Sequence, residues 1–158
     1  MPPMTKPQLC LCTSGRPYRE CCAPYHRGAE PPDPPTLVRS RYAAFALKDG
    51  AYLWRTLDPD HEDRARDEQA YIRAIRGNQL RYMGLVLLDS APPDDAGIAR
   101  VLFLAKLFER GRDLSFVELS DFRHDGAGWR YLTGILAPVR AIPGDPTALT
   151  IEAFLRDR

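Results

Sequence analysis

Beyond residue 22 the chain contains no cysteine, and nowhere does it carry the long apolar run, the internal repeat or the charge imbalance that would mark a special class. Without later cysteines no disulfide framework can staple its 158 residues, so a hydrophobic core must hold them together. No stretch approaches roughly 18 continuous apolar residues, which argues against a membrane-spanning helix. The amino-terminal MPPMTKPQLC lacks both the apolar segment and the small-residue cleavage site of a secretory leader. A formal net charge of +1 removes any global pull toward nucleic acid. Hydrophobic residues at 44% and charged ones at 27% match globular proteins and exclude general disorder. What remains is a cytosolic protein with no membrane partner, sized for one ordinary domain and a small appendage.

All four cysteines fall in the run CLCTSGRPYRECC, as Cys10, Cys12, Cys21 and Cys22. In a reducing compartment they stay thiols, and four clustered thiolates suit a tetrahedral zinc ion. Disulfide pairing and a redox role are the competing readings. Ser14-Gly15 lets the backbone fold back, and amides at that turn are candidate donors to sulfur. Four protein ligands leave no open position for substrate, so such a zinc is structural and the knuckle folds only with metal. Lys6, Arg16, Arg19 and Arg27 surround the cysteines with only Glu20 opposed. They either steady the negative metal centre or form a basic docking surface. His26 reads as a surface residue beside a turn rather than a ligand.

The chain divides into a knuckle (1–27), a proline-rich extended spacer (28–36), an α+β domain (37–136) and a tail (137–158) with a short amphipathic segment at Leu149, Ile151, Phe154 and Leu155. Within the domain the pattern predicts a helix capped by Thr36 and closed by Gly50. A short one follows under Asp49, and a third spans about 62–76 and ends at Gly77. Four strands come next, the last three joined by short glycine-containing turns into an antiparallel meander.

Catalysis has no positive signal: the three histidines are scattered, and neither a Gly-x-Ser-x-Gly elbow nor a phosphate-cradling glycine loop occurs. The strand at 114–122 is more suggestive. Alternation puts Leu114, Phe116, Glu118, Ser120 and Phe122 on one face, and a three-residue turn at 110–112 would set Lys106 diagonally beside Glu118. That face either lines a mixed polar and aromatic cavity, with Lys106, Phe116, Glu118, Ser120 and Phe122 as its candidate residues, or carries a solvated ion pair on the outside. The 123–128 loop leaves open which face Trp129 and Tyr131 join. Of Arg39 and Arg41, on different faces of the first helix, one is expected in solvent and the other paired with an acid.

The cysteine run resembles the SEC-C zinc motif found at the end of the SecA motor. Together with PYHRG, RSRYAAF, the E-x-S-x-F of Glu118, Ser120 and Phe122, and the W-x-Y-x-x-G of Trp129, Tyr131 and Gly134, it resembles the YchJ family over about residues 8–135. The resemblance implies an N-terminal zinc knuckle and a domain similar to nuclear transport factor two, a cone of helices packed on a curved antiparallel sheet. It implies no reaction. The sequence departs from the family in lacking a second cysteine cluster, in having Asp58 where a histidine often precedes the proline, and in having Thr133 where an aspartate often precedes the last glycine.

The expected function is a structural zinc knuckle of four cysteine ligands that docks on a protein or ribonucleoprotein partner. The alternative is a small-ligand binder or enzyme using the cone, with Glu118 as its polar contact, and a weaker third reading is a labile metal donor using Cys21-Cys22. Homodimerisation through the sheet is an expectation from analogy with similar cones.

Overall fold

A computed structural model describes residues 8–157. The cysteine-bearing hairpin leads into α1 (Ala23–His26), and Asp33 then caps α2 (Pro34–Leu47). The Asp33 carboxylate accepts the Thr36 N–H at 2.8 Å, while two prolines fill the first turn, where no N–H is needed. Thr36 is therefore the capped amide rather than the cap, and the domain's first helix begins inside the segment assigned to a spacer. The rest of that segment is anchored too. Pro31 is buried, and Glu30 bridges Arg55 at 3.1 Å and Arg130 at 2.8 Å.

Helix α2 stops at Lys48, which takes the left-handed conformation (φ 60°), and not at Gly50. Gly50 instead opens α3 (Gly50–Arg55) under the expected Asp49 cap, where a Cβ would come within 3.0 Å of the Ile72 backbone. The helix expected over 62–76 is two pieces. Glu62–Ala65 is a 3-10 turn, and Asp67 accepts the Ala70 N–H to start α4 (Glu68–Arg76) afresh, with Gly77 at its end.

Strands β1 (Arg81–Ala91), β2 (Ile98–Glu109), β4 (Phe116–His124) and β5 (Trp129–Pro138) form an antiparallel sheet in the order β1-β2-β4-β5, with the two-residue β3 (Arg112–Asp113) against β2. The meander is as expected, but its register is not. Glu109 pairs with Arg112, so the turn is the two residues Arg110-Gly111, both at positive φ (50° and 77°). One residue fewer in the turn flips the parity. Phe103 therefore lies opposite Glu118, and Lys106 points to the other face, exposed. The expected Lys106–Glu118 pair does not form.

A register shift at Asp121/Phe122 settles the face of the last strand. Phe122 pairs with Tyr131 but Asp121 with Thr133, leaving Leu132 as the extra residue of a bulge. Trp129 and Tyr131 before it, and Gly134 and Leu136 after it, thus all face inward despite their mixed parity. Two further shifts in β1 add curvature.

Both faces of the sheet are buried. The inner face packs Leu85, Val101, Ala105, Leu107 and Phe122 against Leu37, Val38 and Tyr42 of α2. The outer face packs Leu102, Leu104, Val117 and Leu119 against the tail, whose α5 (Ile151–Arg156) contributes Phe154, 1% exposed. Leu149 and Ile151 join that layer, whereas Leu155 is exposed. The tail is the sheet's second cover. Among the described residues no helix is long and apolar enough to cross a membrane.

Candidate metal centre and cavity

The knuckle begins as a hairpin: Cys10 N–H donates to Arg16 C=O (2.8 Å) and Tyr18 N–H to Gln8 C=O (2.9 Å), with Thr13 (φ 62°) and Gly15 (φ 84°) turning the chain. The cysteines at each end of this unit come together, and all four sulfurs lie within 4.8 Å of one another. Cys12 and Cys21 are 3.5 Å apart, Cys21 and Cys22 3.9 Å. A zinc tetrahedron with bonds of about 2.3 Å has sulfur–sulfur edges of about 3.8 Å, so the spacing fits a single ion.

The donor chemistry points the same way. Hydrogen bonds from Cys10 and Cys22 pull the Cys12 thiol well below the ordinary range, whereas the shared hydrogen bond with Cys12 pushes Cys10 up to about 11. Cys22 is pushed up as well, by its neighbours Cys10 and Cys12 and by burial. Four buried sulfurs at this spacing become thiolates together only around a cation. At the turn the Ser14 hydroxyl lies 3.1 Å from Cys21 Sγ and donates to it once the sulfur is a thiolate, and the Cys12 backbone N–H serves Cys10. Arg16, Arg19 and Arg27 are exposed; Lys6 lies outside the described residues.

The knuckle is fastened to the domain at several places. His26 is half-buried, not a surface residue: its Nε2 contacts Ser40 C=O at 2.8 Å and its Nδ1 the Tyr18 hydroxyl at 2.7 Å. Since a carbonyl only accepts, Nε2 carries the proton and Tyr18 donates to Nδ1. Thr13 Oγ1 accepts the Leu85 N–H (3.0 Å) on the outer edge of β1, and Arg39 donates to Cys12 C=O (3.4 Å). Ala43 of α2 packs directly among the cysteines. The PYHRG and RSRYAAF runs are thus the two sides of one internal joint.

Between α2 and the inner face lies a cavity of about 310 Å³. Its wall is largely aromatic, including Tyr42, Phe45, Tyr82, Phe103, Phe116 and Phe122, and its polar end holds Glu118, Ser120, Tyr131 and Arg41. Of the five residues expected from sequence, Phe116, Glu118, Ser120 and Phe122 line it; Lys106 does not.

Glu118 is 7% exposed. Its Oε2 accepts the Ser120 hydroxyl and the Tyr131 hydroxyl (2.7 Å for Tyr131). Burial pushes its carboxyl above the usual carboxylate range, against the opposing pull of these hydroxyls and of Arg41. Gly134 makes the arrangement sterically feasible, because a Cβ there would meet Glu118 Cδ and Tyr131 Oη, each at 2.7 Å.

Arg41 was expected either in solvent or beside an acid, and it does neither. It is buried, donates to Leu53 C=O (2.9 Å) and Thr56 Oγ1 (2.6 Å), and lies over the Tyr131 ring at 4.9 Å. Of the family departures, Asp58 and Thr133 lie outside the cavity wall. Asp58 is buried in an ion pair with Arg123 at 2.6 Å, and Thr133 is exposed. Sequence reasoning missed Arg41, Tyr42 and Tyr82 as wall residues, although the aromatic spacing of Tyr42 and Phe45 on one helix face carried part of that signal.

Comparison with known proteins gives consistent findings. Residues 33–134 match the model of the YchJ middle NTF2-like domain. A UPF0225 protein of Bordetella parapertussis is 34% identical over 135 residues, covering 84% of this chain and 96% of that one. The UPF0225 protein YchJ of Shigella dysenteriae is also 34% identical, over 80% of this chain and 82% of its own. The solution structure of a SEC-C motif containing protein from Rhodopseudomonas palustris superposes with a TM-score of 0.66 at 32% identity, covering 80% of this chain and 96% of that one. A SEC-C motif containing protein from Psychrobacter arcticus gives the same TM-score at 22% identity, over 89% of both chains, and supports the fold.

Proposed function

The chain belongs to the YchJ family, and we propose that it is a small-ligand binding protein whose cone-like domain is braced by a structural zinc ion. The observation that carries the reading is the cavity: a half-open cleft with aromatic walls and a buried carboxylate at one end is the form that small-molecule sites take. Cys10, Cys12, Cys21 and Cys22 would hold the zinc, which supplies cross-linking charge and no open coordination position. Through Thr13 and His26 the knuckle braces β1 and α2, two elements that frame the cavity.

The test uses the neutral fluorescent probe N-phenyl-1-naphthylamine. Saturable one-to-one binding by the wild type, lost in Leu80→Trp, which fills the cavity from its rim, supports the reading; the variant's circular dichroism and metal content report that it is folded. Absence of saturable binding, or binding indifferent to Leu80→Trp, refutes it. Metal analysis tests the zinc independently, since a tetrahedral sulfur site also accepts iron. One equivalent of zinc is expected, and an iron chromophore or a metal-free native protein refutes the assignment.

Docking by the knuckle is the second reading, favoured by Leu9 (58% exposed) and Leu11 (37%) on the same small unit as the exposed Arg16, Arg19 and Arg27. Affinity capture comparing wild type with Leu9→Ser/Leu11→Ser, whose metal content should be unchanged, tests it: identical sets of captured proteins sink this reading.

A further inference from the structure

The polar groups of the cavity wall are unevenly spent. The Tyr42 hydroxyl accepts the Gly84 N–H at 2.8 Å and donates to Lys106 C=O. Tyr82 accepts from Asn78 Nδ2 at 2.9 Å, and Asn78 Oδ1 takes the Leu80 N–H at 2.7 Å. Arg41 is engaged with Leu53 and Thr56. At Glu118 both hydroxyls converge on Oε2, and Oε1 has no hydrogen-bond partner among the described residues. A carboxylate has room for about four hydrogen bonds, two on each oxygen. This oxygen is open to the solvent of the cavity, and an occupant that displaces that water leaves it unpaired, at a cost, unless the occupant itself supplies a donor.

Charge narrows the occupant. Glu118 and Arg41 both line the polar end, and their charges are of opposite sign whenever the carboxyl is ionised. An anion would meet the carboxylate and a cation the guanidinium, each against an apolar wall that screens charge less than bulk water does. Size narrows it further. The 310 Å³ cavity holds about ten water volumes at ~30 Å³ each, which corresponds to a body of up to three rings. The aromatic wall favours a flat apolar one, since offset and edge-on ring contacts add to area burial.

We propose that the cavity binds an uncharged, flat, apolar molecule of up to three rings that donates one hydrogen bond, from a hydroxyl or ring N–H, to Glu118 Oε1. This rests on the reading of the cavity as a ligand site and adds the chemical class of the ligand. Tyr131 and Ser120 act as positioning residues: by occupying Oε2 they turn the other lone pairs toward the ligand. Gly134 keeps space for that geometry.

The experiment is competition against N-phenyl-1-naphthylamine by four probes of one shape: 2-naphthol, 2-methoxynaphthalene, 2-naphthoate and 2-naphthylmethylammonium. The expected result is that 2-naphthol binds at least about tenfold more tightly than each of the others, because the methoxy probe leaves the carboxylate unpaired and the ions face a like charge. In Glu118→Gln, whose amide presents a donor or an acceptor at will, the preference for 2-naphthol over 2-methoxynaphthalene collapses to within about threefold. Equal binding of 2-naphthol and 2-methoxynaphthalene by the wild type, a preference for the methoxy or a charged probe, or an undiminished hydroxyl preference in Glu118→Gln overturns the proposal. Each of these outcomes requires that the fluorescent probe bind in the cavity, so they are distinguishable from failure of the binding reading itself, in which that probe does not bind or ignores Leu80→Trp.

Discussion

Replacing Gly134 with alanine adds one methyl group to the sheet at the place where the structure has least room for it. The new Cβ would stand 2.7 Å from both Glu118 Cδ and Tyr131 Oη, where ordinary contact begins near 3.4 Å. Glu118 is 7% exposed and cannot swing into solvent, and Tyr131 is held under Arg41. Relief therefore comes from parting the carboxylate from its two hydroxyl donors. Hydrogen bonds to a charged group contribute about 1.5–3 kcal/mol each, and one is lost outright while the other is bent, so the expected cost is about 2–4 kcal/mol. For a domain of this length that lowers Tm by roughly 4–16 °C.

Gly84→Ala is the matched control, because its Cβ would meet the flexible Lys106 side chain at ordinary contact distance, 3.5 Å from its Cδ. Urea unfolding of both variants should separate them by at least about 1.5 kcal/mol at an unchanged m-value. The mechanism is checked by adding Glu118→Ala: with the carboxylate gone, only the Tyr131 hydroxyl opposes the new methyl, and the cost of Gly134→Ala should fall by about half. Additive free energies, or a Gly134→Ala variant as stable as Gly84→Ala, would refute the claim that this glycine exists to make room for the carboxylate.

Stability should also depend on pH through Glu118. Its folded pKa is raised by burial, so the native state holds the proton longer than the unfolded chain, and stability is lost as pH climbs from the ordinary carboxylate value through the folded one; the stability difference between wild type and Glu118→Gln, measured at about pH 5 and about pH 8, should shift in favour of the variant, and a shift the other way contradicts the burial argument. Phe154→Ala should cost about 3–5 kcal/mol, because the side chain is fully enclosed in the outer layer. Truncation after Pro138 should uncover Leu102, Leu104, Val117 and Leu119 and raise self-association above that of the full chain in sedimentation. Removing the metal with a chelator should raise amide exchange at Leu85, whose N–H is held by Thr13, well before it does so in β4, and uniform exchange would argue against the knuckle as a local brace.

The metal cluster was legible because its signal is local: thiol chemistry needs only residue type and short spacing, and Cys10, Cys12, Cys21 and Cys22 meet as their order suggested. The helix-then-strand order was legible for the same reason. What failed was parity, which depends on turn length. Assigning three residues rather than two to the turn at Arg110 moved Lys106 to the wrong face while leaving the alternation of β4 intact. The helix start at Pro34 was hidden because two consecutive prolines read as spacer, although in a first turn they cost nothing. Arg41 was hidden for a different reason. Its partners, Leu53 C=O and Thr56 Oγ1, are a carbonyl and a hydroxyl brought up by the next helix, and no carboxylate in the sequence marks them.

The W-x-Y-x-x-G spacing acquires a physical meaning only with the bulge. On a regular strand Tyr131 and Gly134 would face opposite sides, since they are three apart. The extra residue at Leu132 restores both to the inner face, so that Tyr131 reaches Glu118 from one side while Gly134 leaves it room on the other. The same bulge bends β5, whose N-terminal end is covered by Thr56 and Asp58 through the Tyr131 N–H (2.8 Å) and C=O (2.9 Å). At the opposite edge the knuckle's Thr13 covers β1. An open sheet must protect both its outer strands; here one protection falls on a cavity residue, Tyr131, and the other at Leu85, on the strand whose Tyr82 lines the cavity. Edge protection and cavity shape are therefore one structural problem with one solution, which is why a metal knuckle remote from Glu118 can govern whether the space around that carboxylate keeps its form.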